Sequence, residues 1–153
     1  MKFNYSFLVS IAILSMIFGC GKLHTSDKQL NDEVNAFATS YFNYDFHGAL
    51  SHCTPESRKW IVYAASNIHD ADIDVLRNAK EGASVEIKDY VFDDNDSTGY
   101  ALVTVNNYMR MDTIGKACQL ISKSDFRLPI VMRNNKWTIK MEGLPRSEKQ
   151  NHD

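Results

Sequence analysis

The sequence has no excess of basic residues, no internal repeat and no low-complexity segment. Its 17 lysines and arginines are outnumbered by 19 acidic residues, so the charge gives no reason to expect nucleic acid as a partner. A glycine-rich phosphate loop, a CxxC pair and an HExxH motif are all missing. With 44% hydrophobic and 24% charged residues, the composition excludes a disordered, collagenous or many-spanning membrane protein, and 153 residues predict one domain.

The beginning of the chain has the pattern of an export signal. Lys2 supplies a positive charge, and residues 7–18 form a largely apolar run of twelve. That run is shorter than the roughly 20 residues that a membrane-spanning helix needs. We therefore predict a signal peptide over residues 1–19. Its removal takes away one base and no acid, which leaves 16 bases against 19 acids and a net charge of −3.

The signal ends in Ile17-Phe18-Gly19-Cys20, which resembles the lipobox of bacterial lipoproteins. The resemblance implies cleavage before Cys20, a diacylglycerol on its sulfur and acylation of the new amino group. Several acyl chains, at roughly 0.8 kcal/mol per buried CH₂, would hold the protein stably on a bilayer. We expect a lipid-anchored protein of the bacterial cell envelope, with residues 20–26 as the acylated cysteine and a polar tether. The alternative is an ordinary secretory signal followed by a coincidental cysteine.

Two further cysteines, Cys53 and Cys118, remain in the mature chain. An even number in an exported protein allows one disulfide. Closing a loop of 65 residues would stabilise the fold by about 3–4 kcal/mol in the chain-entropy model. The alternative is two separate buried thiols.

The first half of the mature chain has helical periodicity. Ser26 and Gln29 form a capping-box pattern before a helix that ends near Asn43. Its apolar stripe consists of Leu30, Val34, Phe37 and Tyr41. Three shorter helices follow: one from Asp45, one opened by Thr54-Pro55, and one capped by Asp70 or Asp72 and closed by Gly82. The third of these four helices is predicted to bury Trp60, Ile61, Ala64, Ala65 and Ile68.

After Gly82 the apolar period changes to two, which predicts strands. The predicted strands cover residues 85–91, 99–111, a stretch from Cys118 through 126–133, and 137–141. Pro129 predicts an edge or a bulge, and Asn134-Asn135 a tight hairpin turn. The fold class is therefore α+β, with three to four N-terminal helices packed in a curved antiparallel sheet of about four strands. A single domain is expected over 27–142 and a flexible tail over 143–153.

Two short stretches resemble the nuclear transport factor 2-like superfamily. They are Y-F-N-Y-D-F-H-G-A-L at 41–50 and N-N-K-W-T-I at 134–139. More narrowly, the chain is similar to small lipoproteins of that superfamily in Bacteroidetes-type bacteria, over roughly residues 27–142. The resemblance implies a cone-like domain, in which a bent sheet wraps around three helices, often with a pocket between them. It also implies a homodimer through the open sheet face.

Some members of that superfamily are isomerases or cyclases, which need a carboxylate base beside a tyrosine in an apolar pocket. Asp89 is the best candidate base because it is in phase with the apolar residues of its strand. A bulge near Tyr90 would turn Asp89 outward, and we favour that interpretation. Tyr63, Tyr90 and Tyr108 are candidate donors, although such aromatic residues more often pack in the core.

No metal site or cofactor is predicted. His47 and His52 are five residues apart, a poor spacing for shared ligation on a helix, and no third ligand is evident. Solvent-facing histidines are the simpler interpretation. No positioned base accompanies Cys53 as a nucleophile, and the acidic turn at 93–96 lacks the glycine and glutamate of a calcium loop.

We therefore predict a membrane-anchored, non-catalytic module that binds a small apolar ligand or a partner protein. The residues expected to line its pocket are Trp60, Tyr63, Asp89, Tyr108 and Trp137. The alternatives are an isomerase- or cyclase-like enzyme that uses a pocket acid and a tyrosine, and a structural envelope protein without a ligand.

Overall fold

The computed structural model of the chain describes residues 21–110 and 118–148. The predicted signal peptide and Cys20 lie outside the described residues. Within the described part, no helix is long and apolar enough to cross a membrane.

In the described residues, helices come first and strands follow. The helices are α1 (Gly21–Phe42), α2 (Phe46–Leu50), α3 (Arg58–Ser66) and α4 (Asp70–Asn78), with a 3-10 turn at Pro55–Ser57 before α3. The strands are β1 (Ser84–Phe92), β2 (Thr98–Arg110), β3 (Gln119–Arg133) and β4 (Lys136–Ile139). They form one antiparallel sheet in the order β1-β2-β3-β4. The predicted α+β fold class is confirmed.

The core lies between one stripe of α1 and the inner face of the sheet. Leu30, Val34 and Phe37 of α1 are all buried, as their helical spacing predicts. The sheet contributes alternate residues of its two long strands, which are Ala101, Val103, Val105, Phe126, Leu128 and Ile130. Burying each large apolar side chain contributes about 1.5–3 kcal/mol relative to leaving it exposed, so this layer supplies most of the stability of the fold.

Helix α1 begins at Gly21, ahead of the cap predicted at Ser26, so the predicted tether is helical over residues 21–26. Gln29 is therefore inside the helix and does not complete a capping box. Its side-chain amide instead bonds the outer edge of β4: Nε2 donates to the Trp137 carbonyl at 3.0 Å, and the Trp137 N–H donates to Oε1 at 2.9 Å. Gln29 thereby satisfies backbone groups that an edge strand would otherwise leave unpaired.

The short helices follow the predicted order, and the residues at their beginnings agree with the prediction only in part. Ile61 and Ala64 of α3 are buried as predicted, whereas Ala65 is exposed. Thr54 is the N-cap residue of the 3-10 turn, with Pro55 at its first position as predicted, although the Thr54 hydroxyl lies 2.9 Å from Ser57 Oγ and bonds no backbone N–H of the turn. At α4, His69 is the N-cap residue and Asp72 accepts its backbone N–H at 2.9 Å.

Two predictions about the hairpin of β3 and β4 have different outcomes. Asn134 and Asn135 both have positive φ, 53° and 60°, which confirms the predicted tight turn. Pro129 stays in register with Tyr100 of β2, so there is no bulge, but it lies just beyond the residues of β3 that pair with β4, which is the edge position that was the other expectation. The Pro129 carbonyl accepts the Lys140 N–H at 2.9 Å. The Pro129 nitrogen points to the same side of β3, where β4 has already ended at Ile139. No strand therefore needs an N–H from residue 129 on that side.

The tail predicted to be flexible returns to the sheet over its described part, residues 143–148. Ser147 forms an antiparallel bridge with Phe126, and the Glu148 N–H donates to the Asp125 carbonyl at 2.8 Å. The Glu148 carboxylate also pairs with Arg127. This segment is therefore part of the folded domain, because it adds backbone bonds at an edge of β3 that β4 does not reach.

We predict that Gly99→Ala destabilises the protein by about 1–3 kcal/mol. A Cβ at Gly99 would overlap the Val91 carbonyl oxygen and lie 2.9 Å from Phe92 Cα, and both atoms belong to the backbone of β1. Urea denaturation measures the change. Gly143→Ala is the matched control, because nothing lies within 4 Å of a Cβ there. Equal stabilities of the two variants would contradict the close approach of β1 and β2.

Candidate functional site

A groove lined by aromatic side chains opens where the end of α1, the end of β2 and the returning tail meet. Its cavity has a volume of about 290 Å³. Residues 144–147 of the tail form one side. The aromatic residues that line it are Tyr41, Phe42, Tyr44, Phe46, Tyr108 and Phe126. Four of these come from one short stretch of sequence, 41–46, in which α1 ends and α2 begins.

The chain turns sharply at Tyr44 to bring these rings together. Tyr44 has φ 65°, a left-handed conformation that is uncommon for a bulky residue. Its N–H donates to the Tyr41 carbonyl and the next N–H, of Asp45, donates to the Ser40 carbonyl, which is the Schellman arrangement usually built with glycine. Placing tyrosine there costs about 1–2 kcal/mol. Strained residues of this kind cluster at binding sites, and this strain places the Tyr44 ring against Phe46 in the groove.

Three rings at the base of the groove also belong to the core. Between ring centroids, Phe126 lies 4.6 Å from Phe42 and 5.3 Å from Tyr108. Phe42 and Tyr108 are 5.7 Å apart. Two of the contacts are edge-to-face, a preferred geometry of aromatic pairs. All three residues are buried, so the base of the groove is a packed surface.

The polar groups of the groove are few. The Tyr108 hydroxyl lies 3.1 Å from Ser124 Oγ, and the Tyr44 hydroxyl donates to the Met109 carbonyl at 2.7 Å. Burial raises the pKa of both Tyr41 and Tyr44, so their hydroxyls stay protonated. The charged residues in the lining are Arg110 and Arg146, and no acidic residue of the described ranges lines the groove.

Of the five residues predicted to line a pocket, only Tyr108 lies in this groove. Trp60 is half-buried against the core, and Tyr63 is 52% exposed on α3. Trp137 is buried but bonds Gln29, in the first half of α1, whereas the groove is at the end of that helix. At 1.5 Å rise per residue, the twelve residues from Gln29 to Tyr41 separate them by roughly 18 Å. The predicted set is thus spread over the domain.

Asp89 is exposed, because β1 has a bulge at Lys88 between the paired residues Ile87 and Asp89. The bulge shifts the alternation of side chains by one position and turns Asp89 away from the core. One Asp89 carboxylate oxygen accepts the N–H of Tyr90 at 2.8 Å. The outward interpretation is therefore correct, with the bulge two residues earlier than expected. Asp89 is not placed to act as the base of an isomerase.

Of the two alternatives for the cysteines, the structure has separate thiols and no disulfide, since Cys53 and Cys118 are both free. Cys53 pairs with Ile139, which pairs with Ile130, whereas Cys118 lies just before Gln119 at the other end of β3. Eleven residues of strand at about 3.3 Å each span roughly 36 Å, so the two cysteines are far beyond disulfide reach. Burial and the nearby Asp72 carboxylate raise the pKa of Cys118 to about 11, and burial raises that of Cys53. Neither thiol is an activated nucleophile.

His47 is exposed as expected, but His52 is half-buried and bonded. Its Nδ1 lies 2.9 Å from Glu33 Oε2, and Lys136 Nζ lies 3.0 Å from the other oxygen. Burial tends to raise the pKa of Glu33, but these two partners outweigh it, and the pKa is lowered. Glu33 thus joins α1 to β4 and to the segment after α2. Among the described residues, no group of three His, Cys, Asp or Glu is arranged to hold a metal ion.

Comparisons of the chain with protein-family models, with curated proteins and with solved structures find no match. A function for the groove is therefore argued from its geometry.

Two features of the sequence relate to the groove residues that were not predicted. Four aromatic residues within 41–46 mark the segment, but their spacing equally predicts core packing, and the same residues belong to the stretch that resembles the superfamily. Leu144-Pro145 was an apolar pair in an otherwise polar tail. Neither signal indicates that the two segments, about 100 residues apart, meet across β3.

Proposed function

We propose that the protein is a lipid-anchored, non-catalytic binding module of the bacterial cell envelope, whose aromatic groove binds a small apolar molecule. The observation that carries the proposal is the groove itself: six aromatic residues line one open cavity of about 290 Å³. This volume is at the lower limit of small-molecule sites, which are mostly apolar with a few polar groups. We also propose membership of the nuclear transport factor 2-like superfamily, which the order of helices and strands supports.

The geometry of α1 fits an anchored module. The helix begins at Gly21, next to the predicted lipid attachment site at Cys20, and its last turn supplies Tyr41 and Phe42 to the groove. A helix of 22 residues is about 33 Å long. The anchor and the groove are therefore at opposite ends of one helix, so acylation of Cys20 leaves the groove unobstructed.

The enzyme alternative is left without a candidate general base. Asp89 is on the outside of the sheet, and no acid of the described residues lines the groove. The Tyr108 hydroxyl, a candidate oxyanion donor, is engaged with Ser124. Proton transfer at a carbonyl substrate would need both an acid or base and a free donor within hydrogen-bond reach.

The mass of the intact protein tests the proposal. The full chain is expressed with its signal in a bacterium that processes lipoproteins, extracted from membranes with detergent, and measured under denaturing and native conditions. We expect a denatured mass of residues 20–153 plus acyl groups, and a native mass that is larger by one small molecule. The Cys20→Ser variant is expected to lack the acyl groups.

Two results would contradict different parts of the proposal. A chain without acyl groups, cleaved at a position other than Cys20, rules out the anchor. A native mass equal to the denatured mass rules out a resident ligand and favours the structural envelope protein.

A further inference from the structure

We propose that the groove selects an organic anion: a small molecule with a flat apolar body and a carboxylate, which Arg146 and the Tyr41 hydroxyl bind. This inference rests on the proposed binding function and names the chemical class of the ligand. It depends on three features of the groove, which are its charge, one unpartnered hydroxyl and its size.

The charge of the groove has one sign. Arg110 and Arg146 line it, and no acid of the described ranges does. Arg110 donates from Nη2 to Gln119 Oε1 at 3.1 Å. The exposed Arg146 makes no hydrogen bond or ion pair with any residue in 21–110 or 118–148. By contrast, Arg127 and Arg133, also in the sheet region, are paired with Glu148 and Glu56.

The backbone next to Arg146 is held in place. It directly precedes Ser147, whose backbone is bridged to Phe126 of β3, and Glu148, whose N–H bonds Asp125. A guanidinium presents several donors in a fixed plane and binds carboxylates with two parallel hydrogen bonds. A guanidinium carried by this fixed backbone at the rim of an apolar groove is thus suited to a carboxylate whose apolar body enters the groove.

Tyr41 supplies a second donor. Its ring is fixed by stacking on Phe37 at 5.7 Å and by an edge contact with Phe46 at 5.7 Å. Unlike the hydroxyls of Tyr44 and Tyr108, the Tyr41 hydroxyl has no partner within the described part of the chain. No buried side-chain polar atom of the described residues lacks a partner, so the Tyr41 hydroxyl reaches solvent in the free protein. A bound carboxylate or carbonyl would replace water as its acceptor.

The size limits the body of the ligand. A cavity of about 290 Å³ takes one or two fused rings and excludes large lipids. Aromatic walls favour offset or edge contacts with a flat ring system. A bicyclic aryl carboxylate satisfies both conditions.

A matched pair of probes tests the inference: 2-naphthylacetate and its uncharged amide, 2-naphthylacetamide. The full chain is kept in an amphipol, and binding is measured by titration calorimetry. We expect the acid to bind about tenfold more tightly than the amide, since the amide lacks the charge that pairs with the guanidinium. Arg146→Gln should weaken binding of the acid about tenfold and leave the amide unchanged.

Two further variants separate this role from a structural one. Arg133→Gln removes the same charge from the distant β3–β4 hairpin, and we expect no change in either affinity. Tyr41→Phe keeps the ring and should weaken both probes, because each contains a carbonyl acceptor. Unchanged unfolding midpoints confirm that the variants fold.

The outcomes distinguish this inference from the proposed function. Equal affinities for acid and amide, or an Arg146→Gln variant that binds the acid normally, would overturn selection of an anion while leaving an apolar binding site. Failure of both probes to bind also overturns it, whereas a resident ligand is decided separately by the native mass.

Discussion

Phe126→Ala is expected to lower the free energy of unfolding by about 3–5 kcal/mol. Phe126 is only 3% exposed, and its ring packs against both Phe42 and Tyr108. Its strand β3 is central, paired with β2 along most of its length, so the backbone has little freedom to close the cavity. Equilibrium urea denaturation, followed by circular dichroism, measures the loss.

The same substitution tests the groove, because Phe126 lies at its base. A variant that remains folded in dilute buffer is expected to lose affinity for an apolar probe, since the wall of the groove is removed. Leu120→Ala is the control in the same strand: Leu120 is 51% exposed, and its replacement should change stability by no more than about 0.5 kcal/mol. A loss for Phe126→Ala no larger than for the control would show that the three rings do not support the fold.

Much of the fold follows from hydrophobic periodicity alone. Val34 and Phe37 are at helical spacing in the sequence and are completely buried against the sheet. Ala101, Val103 and Val105 stand at every second position and are buried in β2. In both cases the apolar residues of the local pattern are the residues that the tertiary structure buries, so the pattern alone predicts which face packs in the core.

The site follows from contacts that local patterns do not encode. The bulge at Lys88 shifts one strand by a single position, which changes Asp89 from an inward to an outward residue. The groove needs the tail beside the end of α1, and the tail is bonded to β3 mainly through backbone groups around Asp125 and Phe126, with one ion pair between Glu148 and Arg127. Backbone bonds depend weakly on residue type, so the sequence contains little trace of them.

The number of cysteines does not determine whether two of them form a disulfide. An even number of cysteines in an exported chain allows a disulfide, but β3 places Cys53 and Cys118 near its opposite ends. Predicting this would require the register of β3 against β4 and the contact of residue 53 with β4. Both are long-range features.

Asp72→Ala is expected to destabilise the protein by about 2–4 kcal/mol at neutral pH. Asp72 is 3% exposed, and its carboxylate accepts two backbone N–H groups, from His69 at 2.9 Å and from Cys118 at 3.1 Å. Alanine leaves both donors without a partner and separates the start of α4 from the start of β3. The exposed Asp74 of the same helix is the control, and Asp74→Ala should cost no more than about 0.5 kcal/mol.

The stability that Asp72 provides should also disappear in acid. Burial tends to raise the pKa of Asp72, but the hydrogen bonds from His69 and Cys118 outweigh it and lower that pKa below its ordinary value. A carboxyl with a lowered pKa in the folded state stabilises the protein fully above its unfolded pKa, about 3.9, and progressively less as the pH falls through its folded pKa. The difference in unfolding free energy between the wild-type protein and Asp72→Ala should therefore be constant from pH 7 to about pH 5 and narrow below about pH 4. Denaturation curves of both proteins are measured across this range and compared at each pH. The comparison removes the contribution of the other carboxyl groups, which is the same in both proteins. A difference that stays constant down to pH 3 would show that the pKa of Asp72 is the same in the folded and the unfolded protein, which contradicts the lowered pKa.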